Sequence, residues 1–268
     1  MTPDEYSALP GVNFSTLKYM DKSPAHYLYA LKNPKADTAA MRLGRAVHMA
    51  ILEPERFELE AARYDGDRRG KAWTEFQAAH EGLEILRADE YDECLSMSRA
   101  VRGNPSANLL LTNLIDTEAP IQWTHQGLEG AIACKGRLDG VSIVDGRTIV
   151  DIKTTRDASL EGFCRLSFAA RYHAQAAMYC DGYGDSGNGR PHYSIIAVES
   201  EPPYDVVVYR LPQTVIDAGR ELYWLWLDRL QQCQRRGEWP GYARGEVELQ
   251  LPRWGANNLS DIFEENAQ

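Results

Sequence analysis

Cysteine is scarce: five residues in 268, Cys94, Cys134, Cys164, Cys180 and Cys233, odd in number, scattered, and with no Cys-x-x-Cys pair. That pattern excludes a disulfide framework and a zinc ribbon, and leaves reduced thiols that mostly fill packing positions in a cytoplasmic protein. No apolar run approaches the length needed to span a bilayer, and the opening Met-Thr-Pro-Asp-Glu-Tyr is acidic where a signal peptide would be basic. The expectation is a cytoplasmic protein with no membrane partner. Internal repeats and low-complexity segments are also missing. Positive charge is in deficit, 29 Lys and Arg against 39 Asp and Glu, a formal charge of −10. An acidic chain of this kind is no generic nucleic-acid sponge, because binding to phosphates comes from clustered Lys and Arg. A local funnel of cations can still coexist with an acidic exterior; Arg42, Arg45, Lys135, Arg137, Arg165 and Arg171 are the candidates, with Arg45 and Arg137 the first choices for a 5′-phosphate pocket.

What is present is 44% hydrophobic and 25% charged, the make-up of a globular protein read as one domain over residues 1–268, with a helical N-terminal part to about residue 110 and a tail from about 238. The most informative stretch is 136–153, where Asp139, Asp151 and Lys153 lie on two β-rich runs joined by Asp145-Gly146. Carboxylate oxygens suit a hard divalent cation such as magnesium, and a nearby lysine can hold an attacking water and offset charge on a phosphate. Register decides whether they meet. A two-residue loop at Asp145-Gly146 sets Asp139 across from Ile152 and sends the two aspartates to opposite faces. A three-residue loop, 145–147, pairs Asp139 with Lys153 and puts all three charged groups on one face. An isolated Asp-x-Lys is most often an ordinary surface pair on an edge strand, so the rest of the chain must decide.

Upstream, residues 15–31 look helical with Ser15 as cap and Ser23-Pro24 starting a second turn, and 41–52 form a strongly apolar helix stopped near Pro54, with His48 in its middle. A histidine there is usually a satisfied core residue. Residues 65–70 read as a charged loop and 71–102 as helices. Glu118 lies at the start of a first strand, 130–144 and 148–153 give the next two, and the three form an antiparallel meander. A helix over 167–183 places Gln175 and Tyr179 four residues apart on one face. The glycine-rich loop 182–191 leads to a hairpin of 193–199 with 205–211. The long helix 213–236 carries an apolar stripe of Leu222, Trp226 and Leu230, and a Pro-interrupted tail holding Trp239-Pro240 and Leu251-Pro252-Arg253-Trp254 packs across the body.

Gly44-x-x-x-His48, Gly136-x-x-Asp139, Asp151-x-Lys153 and Gln175-x-x-x-Tyr179 fall in the order and spacing of the PD-(D/E)XK nuclease superfamily, in its RecB-like branch. The chain more closely resembles the RecE-type exodeoxyribonuclease VIII domain of phage and prophage recombination systems, also through Ser23-Pro24-Ala25-His26-Tyr27, Cys134-Lys135-Gly136-Arg137-Leu138-Asp139, Asp151-Ile152-Lys153-Thr154-Thr155 and 172–179. The resemblance implies an α/β fold with a central mixed sheet flanked by helices. It implies a Mg2+ site, with Mn2+ able to substitute, held by His48, Glu118, Asp139, Asp151 and the Ile152 carbonyl. Lys153 then positions the water, while Gln175 and Tyr179 orient the lysine or a phosphate. It further implies 5′-strand degradation of linear duplex DNA by a ring-shaped homo-oligomer, with a tetramer as the expected size, handing a 3′ strand to a RecT-like annealing protein. RecE proper carries a long N-terminal extension not matched here, so the expectation is the stand-alone nuclease. A sister branch holds an iron–sulfur cluster on one early and three late cysteines; here none precedes Cys94 and only Cys233 follows Cys180, so no cluster is expected. The alternatives are a RecB-like endonuclease and a catalytically idle DNA-binding module of the same fold.

Overall fold

The computed structural model describes residues 3–249. Helices α1 (Pro3–Ala8) and α2 (Phe14–Leu17), a tight turn at Lys18–Asp21 and α3 (Pro24–Lys32) open the chain. They are followed by α4 (Ala39–Leu52), α5 (Pro54–Glu60), β1 (Ala61–Tyr64), α6 (Gly70–Ala79), β2 (Glu84–Arg87), α7 (Ala88–Gly103) and α8 (Pro105–Thr112). The second half runs β3 (Leu114–Gly127), β4 (Gly130–Ser142), β5 (Thr148–Thr155), α9 (Leu160–Ala170), α10 (Tyr172–Tyr183), β6 (His192–Glu199), β7 (Val206–Arg210) and α11 (Gln213–Arg236).

The five strands β3 to β7 make one sheet in chain order, antiparallel except for the central β5–β6 pair. Parallel neighbours need a crossover, and α9 and α10 supply it. Apolar side chains leave the sheet in two clusters. One, with Trp123, Leu138, Ile149 and Tyr193, packs on Ala174, Met178, Trp226 and Leu230 of α10 and α11. The other, with Val150, Ile152, Ile196 and Val198, packs on Val47, Ile51, Phe57, Met97 and Val101 of α4, α5 and α7. The result is the expected α/β fold, a mixed central sheet flanked by helices.

Several elements differ from the sequence reading for local reasons. Asn13, not Ser15, caps α2, its side chain accepting from the Thr16 amide at 2.9 Å, while Ser23 caps α3. The 71–102 region is not all helix: Glu84–Arg87 pairs in parallel with Ala61–Tyr64, a two-stranded sheet too short for alternation to reveal. The helix expected over 167–183 is two helices, separated at Arg171, whose left-handed φ of 63° ends α9 as a glycine commonly would. Helical structure also runs on through Tyr183 into what was read as the loop 182–191. The long helix and the buried Trp226 and Leu230 match expectation, with Leu222 packed at the margin. Of the tail, Trp239 stacks on Tyr27 with centroids 5.9 Å apart and Pro240 accepts from the Ala25 amide; 251–254 lie outside the described residues. No helix among the described residues is long and apolar enough to cross a membrane.

Candidate metal centre

The site begins where β4 and β5 part. Their ladder covers only Gly140 to Ser142 against Val150 to Thr148, with a five-residue connection, 143–147, in which Asp145 (φ 54°) and Gly146 (φ 92°) are left-handed. This corrects the expected three-residue loop and its Asp139–Lys153 pairing. Beyond Gly140 the backbone rung is replaced by a side chain: the Ile152 amide donates to Asp139 Oδ2 at 2.8 Å. Asp139 is thereby wedged between the strands, its Oδ2 3.5 Å from His48 Nδ1.

His48 comes from α4, whose buried stripe of Ala46, Val47, Ala50 and Ile51 fixes the helix on the sheet and leaves His48 half-buried at its margin. His48 is therefore not enclosed in the core, and its ring reaches Asp139. Glu118 comes from β3, at a left-handed φ of 49° that is uncommon for a non-glycine residue inside a strand. The β3–β4 register passes from Thr117–Gly140 to Ala119–Leu138 around it. His48, Glu118 and Asp139 each offer one ligand atom within 4.8 Å of the others. They open on a groove of about 600 Å³ also lined by Gly44, Arg45 and Arg137. A Cβ at Gly44 would meet nothing within 4 Å, so packing does not demand this glycine, and its absent side chain leaves room in the groove.

Asp151 stands apart from that trio. It is 3% exposed and paired to Lys153, whose Nζ lies 2.7 Å from Oδ1 and 2.6 Å from Oδ2. Only the Oδ1 contact has hydrogen-bond alignment, so Oδ2 is a buried acceptor with no hydrogen bond. Burial raises the Asp151 carboxyl, and neighbouring Asp139 adds to the rise, against the pull of Lys153. Burial works to lower the Lys153 ammonium, but Asp151 and Asp139 outweigh it and hold it above its ordinary value. The ammonium also sits 5.0 Å from the Tyr172 ring centroid, a neighbour the sequence did not single out. Burial likewise raises Glu118, with Asp139 adding and Arg137 opposing.

Gln175 and Tyr179 share a face of α10 as expected, and Gln175 is close enough to the Tyr179 hydroxyl to oppose the rise that burial imposes on it. The tyrosine explains a glycine. A Cβ at Gly136 would stand 2.9 Å from the Tyr179 ring and 3.2 Å from Ile121, so only glycine lets the ring lie on β4. Gly136→Ala is expected to lower stability by about 1–3 kcal/mol through overpacking, read as a lower urea midpoint at unchanged slope; an unaltered midpoint would show that the ring moves aside freely.

The expected cation funnel is mostly neutralised. Lys135 is 5% exposed and its ammonium donates to the carbonyls of Tyr6, Ser7 and Leu9, tying down the end of α1. Arg45 pairs with Asp37 at 2.6 Å, Arg137 with Glu118 at 2.8 Å, Arg165 with Glu161 at 3.1 Å and Arg171 with Asp21 at 3.0 Å. No ion pair engages Arg42 among the described residues. All five cysteines are free thiols, and only Cys164 is exposed.

The model of one family, the PDDEXK-like domain of unknown function (DUF3799), matches residues 13–250. The chain belongs to that family. Its fold and family are thus PDDEXK-like. A crystal structure from Eubacterium rectale, described as a "Putative exonuclease", is similar at a TM-score of 0.61 and 12% identity, covering 94% of this chain and 95% of that one. SSO0001, at 14% identity over 79% of this chain and 84% of its own, reaches a TM-score of 0.30, too low to carry an argument. No curated protein matches.

Proposed function

We propose that the protein is a divalent-metal-dependent exodeoxyribonuclease that degrades the 5′-ended strand of linear double-stranded DNA and leaves 3′ single-stranded tails. The observation that carries the nuclease chemistry is the convergence of His48, Glu118 and Asp139 beside the buried Asp151–Lys153 pair. The donor set converging on one point is two carboxylates and one imidazole, rich in oxygen, so the residues fit a hard divalent cation. His48, Glu118, Asp139 and Asp151 would hold it, with the Ile152 carbonyl as a further ligand by resemblance. A bound Mg2+, or Mn2+ in its place, polarises the scissile phosphate and favours ionisation of water.

The chain's own groups do the rest. A lysine held above its ordinary value stays charged at neutral pH, so Lys153 donates hydrogen bonds to the attacking water and to the phosphate and does not take up a proton. Asp151 fixes the ammonium in place. Arg137 now occupies Glu118, and a ligating Glu118 leaves that guanidinium free for a phosphate oxygen. Tyr179, seated by Gly136 and flanked by Gln175, keeps α10 in register behind the site.

The raised Glu118 and Asp151 carboxyls give a pH dependence with a definite sign. A carboxyl that titrates higher in the folded state than in the unfolded one contributes stability at low pH and loses it as the pH rises through its folded value. Bound metal needs the ionised forms. The rise in melting temperature on adding Mg2+ should therefore be small at acid pH and larger at neutral pH; a gain that does not depend on pH would separate these carboxyls from metal binding. His48→Ala should weaken binding and activity together, seen by calorimetric titration with Mn2+. An unchanged isotherm with a lower melting temperature would return His48 to a packing role.

Polarity and assembly rest on the RecE-type resemblance. A ring-shaped homo-oligomer would focus the field where DNA threads while its acidic exterior faces solvent, and a RecT-like annealing protein would take the 3′ strand. Linear duplex labelled at the 5′ or the 3′ end, with covalently closed circles of the same sequence, tests this reading. Loss of the 5′ label from linear DNA and survival of circles are expected. Efficient cutting of circles, or a monodisperse monomer by light scattering, would favour a RecB-like endonuclease, and no Mg2+-dependent loss of any substrate would favour an idle DNA-binding module.

A further inference from the structure

The last two turns of α11 set Arg229, Gln232, Cys233 and Arg236 at i, i+3, i+4 and i+7, a single stripe along the helix. Facing it, Lys22 and Ser23 lead into α3, and the two sides enclose a groove of about 370 Å³ on the α11 side of the protein. Both guanidinium groups lie close enough to the Cys233 thiol to oppose the rise that burial imposes on it, which places them on the same wall. Lys22, Arg229 and Arg236 are exposed, and none of the three makes an ion pair among the described residues. The acid on the rim, Glu238, is already held by Arg244 at 2.8 Å.

In a chain of net charge −10 this is a conspicuous exception, since most arginines near the carboxylates have an acidic partner. The groove is also connected to the chemistry by other cations. Lys18, Lys22 and Lys35 surround Tyr19, with Lys35 Nζ 5.8 Å from the ring centroid, and Lys18 lies within electrostatic reach of Lys153. Starting beside the Asp151-paired Lys153, cations thus step from Lys18 and Lys35 to Lys22, and on to the two arginines of α11. A row of unpaired positive charge leading away from a phosphodiester-cleaving site has the chemistry to follow a sugar–phosphate backbone.

We propose that Lys22, Arg229 and Arg236 form a phosphodiester-binding subsite, remote from the carboxylates, that holds the backbone of a DNA strand several nucleotides from the bond being cut. The proposal rests on the nuclease reading. Guanidinium groups grip phosphate oxygens in bidentate fashion and Lys22 adds a mobile point charge, so the contacts are blind to sequence.

The test is the combined variant Lys22→Ala, Arg229→Ala, Arg236→Ala, made in the full chain and checked for an unchanged melting temperature. Binding to a fluorescent duplex and to an oligothymidylate is measured by anisotropy in EDTA, over a range of salt. The variant is expected to bind at least about tenfold more weakly, with the slope of log K against log salt reduced by roughly 2.7 on duplex or roughly 2 on single strand, for three lost contacts. A loss confined to the single strand assigns the groove to an unpaired strand, and a loss on duplex assigns it to the helix; either supports the subsite. Affinity and slope at wild-type values on both, or a wild-type protein that binds neither, would overturn it. Magnesium-dependent hydrolysis by the wild type is followed in parallel. Hydrolysis with an unchanged slope rejects the subsite alone, whereas no hydrolysis with a reduced slope rejects the nuclease reading and leaves the subsite standing.

Discussion

Asp139→Ala should abolish magnesium-dependent hydrolysis, by about a hundredfold or more, while the chain remains folded. The size follows from positioning: Asp139 is the group common to His48, the Ile152 amide and the ligand trio, so its removal both takes away a ligand and frees β5 to shift. The cost to the fold is one hydrogen bond between strands that have already parted, on the order of 1 kcal/mol. Near-normal activity would sink the assignment of the site. Asp151→Ala would also silence the enzyme, but it is the poorer experiment. It leaves the Lys153 ammonium buried without its counter-ion, and breaking such a pair costs about 3–5 kcal/mol, so loss of activity and loss of structure would arrive together.

Lys153→Ala should remove turnover while keeping metal and DNA affinity close to wild type. An ammonium that serves the nucleophile and the developing charge on phosphate acts in the transition state more than in the ground state, so kcat falls by orders of magnitude and KM changes little. Asp151 then loses its counter-ion in a buried site that disfavours its charge, so the metal-free variant loses stability, and bound metal restores part of it by taking the place of the missing positive charge. Single-turnover hydrolysis beside anisotropy binding separates the two effects. If binding disappears with activity, Lys153 is a phosphate clamp and not a partner of the water.

The sequence made the β4–β5 pair recognisable because Asp139, Asp151 and Lys153 carry their chemistry in residue type and spacing alone. It misjudged how they meet. The expected register supposed an unbroken ladder with side chains alternating about it, whereas Asp139 inserts into the ladder and ends it. Long elements with strong periodicity, such as α11, were legible to the residue; the four-residue β1–β2 pair, and the break at Arg171, depend on tertiary contacts and on a left-handed non-glycine residue that no local pattern announces. The cation funnel was misread for a different reason. Whether an arginine is free depends on which acid lies beside it in space, so Arg137 and Arg171, candidates by sequence, are each held by an acid, while Arg229 and Arg236, which no motif singles out, make no ion pair among the described residues.

Glu118, Arg137, Asp139, Asp151 and Lys153 all lie on three consecutive strands linked by short turns, whereas His48 comes from α4 and Tyr179 from α10. Short loops close at small entropic cost and early pairing follows low contact order. Forming this meander, which is local in sequence, is by itself enough to gather the like charges, whether or not either helix has docked. That would be self-defeating had the acids come alone. Lys153 travels on the same strand as Asp151 and Arg137 on the strand that pairs with that of Glu118, so each counter-charge is delivered by the pairing that creates the need for it.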